Sequence, residues 1–241
     1  MRVDILGITV DTYSMQETVE QIRQAVDGNI PLRVVTANPE MIYASERNIK
    51  LKKLINSADI VTADGIGVVW AARRLGVPVL ERVTGIDLVQ ALFPIAHEGK
   101  WRIFFLGGKP GVAEQAANQV VLKNHGITTE AMHGYFSLEE EPDVLEQIRH
   151  FQPDVLLVGL GAPRQESWIV EHPRLASVSV GVGGSFDALA GIVVRAPKCI
   201  QDLHAEWLYR LWKEPWRWKR QAVLPCFVIK VLGQEFGFKT P

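Results

Sequence analysis

Two hydropathy patterns alternate along the chain. Short, continuously apolar runs recur at L-R-V-V-T-A (32–37), D-I-V-T-A (59–63), R-I-F-F-L-G (102–107), D-V-L-L-V-G-L (154–160) and V-S-V-G-V (178–182). Runs that do not alternate with polar residues predict strands covered on both faces. I-T-T-E-A-M (127–132) and V-D-I-L (3–6) are weaker strand signals. Between these runs, apolar residues recur at helical spacing over 15–26, 66–75, 86–96, 111–123 and 138–151. Repeated strand–helix units predict an α/β fold with a mostly parallel, doubly wound sheet and helices on both faces.

After Arg195 the strand signals stop. A-P-K-C-I-Q-D-L-H-A-E-W-L-Y-R-L-W-K-E-P-W-R-W-K-R-Q-A-V-L-P reads as two or three short helices interrupted by Pro215 and Pro225. The expected organisation is an α/β domain over 1–194 and a helical appendage over 195–241.

Composition sharpens that division. The 241 residues are 47% hydrophobic and 22% charged, ordinary for a globular chain, with a net charge of −1. Residues 195–241 hold nine Lys/Arg against four Asp/Glu, a net of +5, while the preceding residues hold 17 basic and 23 acidic, a net of −6. A basic tail on a mildly acidic body follows. Cys199 and Cys226 are the only cysteines, which fits a reduced intracellular protein better than a disulfide scaffold. The start, M-R-V-D-I-L-G-I-T-V, is broken by Asp4 and Gly7 and does not read as a signal sequence. No apolar run reaches the roughly 18 residues of a membrane span. The expectation is a soluble protein, or one peripheral to a membrane on the cytoplasmic side.

In doubly wound sheets ligands bind beyond the carboxyl ends of the strands. Five loops at such positions are rich in small and polar residues: T-A-N-P-E (36–40), T-A-D-G-I-G (62–67), L-G-G-K-P-G (106–111), G-L-G-A-P-R-Q-E (159–166) and G-V-G-G-S-F-D (181–187). Their convergence on one rim is the main residue-level argument for an active site. In L-G-G-K-P-G, the amides of Gly107 and Gly108 before a helix suit a phosphate or diphosphate, or else serve a tight turn. The Gly-Lys-Ser/Thr ending of a P-loop is absent. Gly65 and Gly67 are followed by Trp70 where a dinucleotide fingerprint has its third glycine, which disfavours an NAD enzyme. Arg164, Gln165 and Glu166 stand at a helix start and suit phosphate and sugar hydroxyls, or simply a solvated cap. Arg82, in E-R-V-T-G (81–85), is a further anion contact or a solvated loop cation. Asp64 is either the N-cap of the following helix or a general base in a sheltered cleft. No D-x-D occurs, and His97, His125, His133, His150, His172 and His204 are scattered, so neither a metal nor another cofactor is indicated.

The tail segment W-L-Y-R-L-W-K-E-P-W-R-W-K-R (207–220) interleaves Trp with Arg and Lys. Trp207, Leu208, Leu211 and Trp212 can share a helical face near Arg210, Arg217 and Arg220. Such a face suits a membrane interface, packing on the body or a second subunit, or single-stranded nucleic acid, the last being least favoured.

Taken together, T-A-N-P-E-M (36–41), A-D-I-V-T-A-D-G-I-G-V-V-W-A-A-R (58–73), E-R-V-T-G-I-D-L (81–88), F-F-L-G-G-K-P-G-V-A-E (104–114), V-G-L-G-A-P-R-Q-E-S-W-I (158–169) and G-V-G-G-S-F-D-A-L-A-G (181–191) resemble the WecG/TagA/CpsF family of bacterial glycosyltransferases. The six motifs occur in order over nearly the whole chain. The resemblance implies a Rossmann-like fold and an inverting, metal-independent transfer of N-acetylmannosamine. The donor would be its UDP sugar and the acceptor undecaprenyl-diphosphate-linked N-acetylglucosamine. The product would carry a β-1,4 bond, as in wall teichoic acid linkage-unit synthesis. It also implies a peripheral enzyme on the inner face of the membrane whose appendage meets the lipid substrate, and a homodimer that hides the appendage's Trp and Leu away from the membrane. In the matched positions Asp64 is the catalytic base and Thr36, Asn38, Arg82 and Gln165 line the pocket. Arg210, Arg217 and Arg220 would face the lipid diphosphate. The alternatives are the same chemistry with a UDP-N-acetylmannosaminuronic acid or UDP-glucose donor, or a non-catalytic nucleotide-binding protein associated with membranes.

Overall fold

The computed structural model describes residues 1–79, 81–124, 126–202, 205–215 and 218–237, without the side chains of residues 202, 210, 219 and 220. A short antiparallel hairpin comes first, β1 (Arg2–Ile5) and β2 (Ile8–Asp11), forming a two-stranded sheet of its own. Helix α1 (Met15–Asp27) follows, opened by a capping box in which Ser14 and Glu17 satisfy each other's backbone amides. Six strands then build the main sheet: β3 (Leu32–Ala37), β4 (Ile60–Ala63), β5 (Arg102–Gly107), β6 (Thr128–Met132), β7 (Val155–Gly159) and β8 (Val178–Gly181). Their order is β4-β3-β8-β7-β5-β6 and every pairing is parallel. The α/β, Rossmann-like expectation holds. The weak strand signal at 3–6 marks the hairpin and not the main sheet.

The connections carry the helices. Between β3 and β4 lie α2 (Pro39–Arg47) and α3 (Ile49–Asn56), each opened by an asparagine, Asn38 and Asn48, whose side chain accepts from a first-turn amide. Neither helix was expected from hydropathy, since both are short, nine and eight residues. Helices α4 (Ile66–Arg74) and α5 (Gly85–Glu98) join β4 to β5; α6 (Val112–Lys123), α7 (Glu141–Phe151) and α8 (Arg164–Glu171) fill the next three crossovers. After β8 come α9 (Ser185–Leu189), α10 (Lys198–Asp202), α11 (Glu206–Lys213), α12 (Trp218–Gln221) and α13 (Val223–Glu235).

Strand side chains alternate between two buried faces, which explains why the runs are apolar throughout. Val34, Ile60, Ile103, Phe105, Val155, Leu157 and Val178 pack on α1, α5, α6 and α9. Val35 and Val61 face α2, α4 and α13 on the opposite side, and Phe104, Leu106, Leu156 and Val158 face α7 and α8. Pro225 does not interrupt a helix: it sits in the first turn of α13, where proline's missing N–H costs no intrahelical bond. Phe227 and Val231 of α13 are fully buried against the body, and Gln234 donates to the Asp4 carbonyl at 2.9 Å. Both cysteines are free and exposed. No helix among the described residues is long and apolar enough to cross a membrane.

Candidate active site

Because all six strands run the same way, the loops following β3, β4, β5, β7 and β8 open on one rim, as expected. Within that rim, the predicted residues form two groups.

Asp64 closes β4. Its backbone N–H donates to the carbonyls of Ala37 (2.9 Å) and Thr62 (3.1 Å). The expected capping role is not taken: Gly65 is the N-cap of α4, and no side chain caps that helix. Gly65, with φ of +110°, turns the chain so that the Asp64 carboxylate meets a different helix. Its Oδ2 lies 3.5 Å from the N–H of Gly85, the first residue of α5. The segment leading into α5 is held along β4. Val83 N–H donates to Ala63 at 3.0 Å, and the Thr62 hydroxyl donates to the Val83 carbonyl at 3.0 Å. Thr84 caps α5 and donates its hydroxyl to Asp87 Oδ2 at 2.6 Å. A Cβ placed on Gly85 would stand 3.4 Å from both Ser185 Oγ and Thr36 Oγ1. One carboxylate and two hydroxyls therefore gather around the first turn of α5, at a helix end that favours negative charge.

Thr36 is buried, and its hydroxyl donates to the Gly181 carbonyl at 3.0 Å, tying β3 to β8. Asn38 accepts the Met41 N–H at 2.9 Å and so fixes the start of α2. Arg82 is ion-paired, 3.3 Å from Glu206 and 3.6 Å from Asp87. Gln165 is buried and its amide is largely committed. Oε1 accepts from Gly161 N–H (3.2 Å) and Gly183 N–H (3.1 Å), and Nε2 donates to Glu166 Oε1 (2.7 Å). Gln165 thus stitches the loop after β7 to the loop after β8. Gly181 admits it, since a Cβ there would come within 2.8 Å of Nε2. Glu166 is 2% exposed, and its Oε2 has no hydrogen-bond partner among the described residues. Burial pushes its carboxyl up, against the lowering effect of the Gln165 bond.

Gly107, Gly108 and Arg164 belong to the second group. β5, which runs into the two glycines, lies four strand spacings from β4, roughly 19 Å at about 4.8 Å each, so they do not join Asp64 at the level of the sheet. Arg164 follows β7, three spacings away, and is set apart by where its side chain goes. Gly107 serves packing: with φ of +144°, a Cβ would come within 2.5 Å of the Gly159 backbone. The Gly108 N–H already donates to the Gly159 carbonyl at 3.1 Å. The tight-turn reading of this loop therefore accounts for both glycines. Arg164 donates to the Gly134 carbonyl at 2.8 Å and stacks over Phe136, 4.9 Å from the ring centroid. It also borders a cavity of about 600 Å³ between α3 and α8, lined by Leu51, Leu54, Phe136, Leu138 and Trp168 among others. Asp64, Thr36, Asn38 and Arg82 do not line that cavity.

Of the tail arginines, Arg217 lies outside the described residues, as do the side chains of Arg210 and Arg220. Arg210 and Arg220 belong to α11 and α12. Trp207, Leu208, Trp212 and Trp218 are exposed. Sequence reading missed Thr84, Asp87, Ser185, Arg195 and Glu206. T-G-I-D (84–87) carries a legible Thr cap with an acidic residue three positions on. Nothing local announces Arg195 or Glu206, which reach the site only through tertiary packing.

Comparison with known proteins bears on this geometry. The profile described as Glycosyl transferase WecG/TagA/CpsF family matches residues 3–241. Curated relatives include two proteins named N-acetylglucosaminyldiphosphoundecaprenol N-acetyl-beta-D-mannosaminyltransferase. The one from Staphylococcus aureus strain MW2 is 37% identical over 234 residues, covering 95% of this chain and 92% of the relative. The one from strain NCTC 8325 / PS 47 is 38% identical with the same coverage.

Proposed function

The chain belongs to the WecG/TagA/CpsF glycosyltransferase family, and from that premise we propose that it transfers N-acetylmannosamine from its UDP donor to N-acetylglucosamine on a polyprenyl diphosphate, with inversion and without a metal. The observation that carries this reading is the Asp64 carboxylate beside the first turn of α5, with Thr36 and Ser185 packed at the same point.

In the proposed step the acceptor hydroxyl attacks the anomeric carbon as Asp64 removes its proton. The bond from that carbon to the UDP oxygen breaks, and UDP leaves with the electron pair. Inversion follows from attack on the face opposite the leaving group. Charge growing on the diphosphate is stabilised by the α5 amides and Arg82. Thr36, Asn38 and Gln165 hold the loops against which donor and acceptor are aligned. The exposed Trp207, Trp212 and Trp218 support contact with a membrane surface, where the lipid acceptor resides. In liposome sedimentation, replacing Trp207 and Trp212 by Ala should release the protein to the supernatant; unchanged pelleting would refute this contact.

The base assignment is tested by Asp64→Asn, which keeps shape and removes the proton acceptor. Turnover should fall by about 10²–10⁴-fold with little change in KM for the donor. Turnover within about threefold of the parent would remove Asp64 from the base role.

A further inference from the structure

Four charged side chains from three segments meet one turn from the Asp64–Gly85 contact. Arg82 precedes α5, Asp87 lies in its first turn, Arg195 follows α9, and Glu206 opens α11. Asp87 is fixed from two sides. Thr84 donates to Oδ2 at 2.6 Å, and Arg195 Nη1 donates to Oδ1 at 2.7 Å. Burial alone would raise the Asp87 carboxyl, but these two bonds together with the charges of Arg195 and Arg82 outweigh it and hold the group below its ordinary value.

Glu206 is held differently. A single oxygen, Oε2, lies 3.3 Å from Arg82 Nη1 and 3.7 Å from Arg195 Nη2. Two guanidinium groups, 113 residues apart in sequence, thus converge on one carboxylate oxygen. The Arg195 donors are not filled by it: Nε and Nη2 are buried and lack a hydrogen-bond acceptor among the described residues. A buried guanidinium short of acceptors is costly unless something richer in oxygen completes it.

We infer that Arg195 is a binding residue for the donor's diphosphate, forming with Arg82 a two-guanidinium cradle that the Glu206 carboxylate occupies when no nucleotide is bound. The inference rests on the nucleotide-sugar reading above and extends it to residues that the sequence motifs did not mark. A diphosphate offers more non-bridging oxygens than one carboxylate and more negative charge, so it can satisfy both forks at once. The four side chains are neutral as a set. Once Glu206 is displaced, Arg82, Arg195 and Asp87 leave one net positive charge for the anion. Donor binding and the docking of α11 on the body therefore compete for the same cations, and the appendage shifts when the donor arrives.

The two roles open to Glu206 give opposite signs. A competitor, once neutralised, strengthens donor binding; a mere docking contact does not. Isothermal titration calorimetry of the full chain with UDP, uridine and inorganic pyrophosphate compares the parent with Glu206→Gln, Arg195→Gln and Arg195→Lys. Glu206→Gln should bind UDP about tenfold more tightly and uridine unchanged. Arg195→Gln should bind UDP about tenfold or more weakly, with Arg195→Lys between, because it keeps the charge and loses the fork. Unchanged or weaker UDP binding by Glu206→Gln overturns the inference, and this result decides alone if thermal melting shows Arg195→Gln unfolded. If pyrophosphate binds with this dependence on Glu206 and UDP binds no better than pyrophosphate, the cradle stands and the nucleotide reading fails. If neither anion binds the parent or Glu206→Gln, the cradle itself is refuted.

Discussion

Gln165 joins the loops after β7 and β8 through one side-chain amide, so its replacement has a calculable cost. Gln165→Leu keeps approximate volume and removes both acceptor and donor. The N–H groups of Gly161 and Gly183 lose their shared acceptor, and Glu166 Oε1 loses its donor. A fully buried orphaned amide costs about 1–3 kcal/mol. For these two half-buried amides the lower end, roughly 2 kcal/mol together, is the expected loss, out of a total stability of about 5–15 kcal/mol. For a chain of this size about 1 kcal/mol lowers Tm by roughly 2–4 °C. A Tm drop of at least about 4 °C should follow, with faster amide exchange confined at first to 159–166 and 181–187. Gln165→Glu gives a sharper test, because it sets a second carboxyl against Glu166 in a buried site. Like charges there raise both groups, so the neutral forms are favoured in the fold. Stability is then retained at low pH and lost as pH rises through the folded-state values. Calorimetric scans between pH 4.5 and 8 read this directly. A Leu variant within about 1 °C of the parent, or a Glu variant whose stability does not fall as pH rises, would refute this role for Gln165.

Two further predictions follow from buried groups. In Glu166→Gln the amide oxygen can still accept from Gln165, while the carboxyl that burial pushes up is gone. The parent loses stability as pH rises through the folded-state value and the variant does not, so the variant's Tm advantage should widen with pH; a constant difference across the range would contradict it. Phe227→Ala opens a cavity beneath α13, where the ring is fully buried. The loss should reach about 3–5 kcal/mol by denaturant unfolding, unless α13 undocks first and caps the cost. A loss under about 1 kcal/mol would show that α13 contributes little to the body.

The sheet was legible because its strands other than the edge strand β6 are largely apolar on both faces, a pattern that needs no knowledge of neighbours. The hairpin partner β2 was not, since I-T-V-D is only four residues long and ends in Asp11, whose carboxylate accepts from Arg2 and from Val61 N–H. Helices α2 and α3 carried their Asn caps and a helical periodicity in plain view, yet at nine and eight residues they were too short to stand out between the strand signals. At the site, the motif residues around β3, β4 and β8 were legible as small and polar loop residues. Their grouping was not, because strand order depends on crossovers and not on local sequence. This is why Gly107, Gly108 and Arg164 were read together with Asp64 although β5 and β7 lie four and three strands from β4. The contact of α11 with the start of α5 depends on Arg82, Asp87, Arg195 and Glu206, up to 124 residues apart. No local pattern encodes contacts of that range.

The most direct test incubates the purified chain with UDP-N-acetylmannosamine and a synthetic polyprenyl-diphosphate N-acetylglucosamine, in parallel with the uronic acid and glucose donors. Mass spectrometry reads the lipid product and coupled detection reads UDP. The account predicts a lipid heavier by one N-acetylhexosamine and an equal amount of UDP, from the N-acetylmannosamine donor alone. No product with that donor, or product only with one of the others, would contradict it.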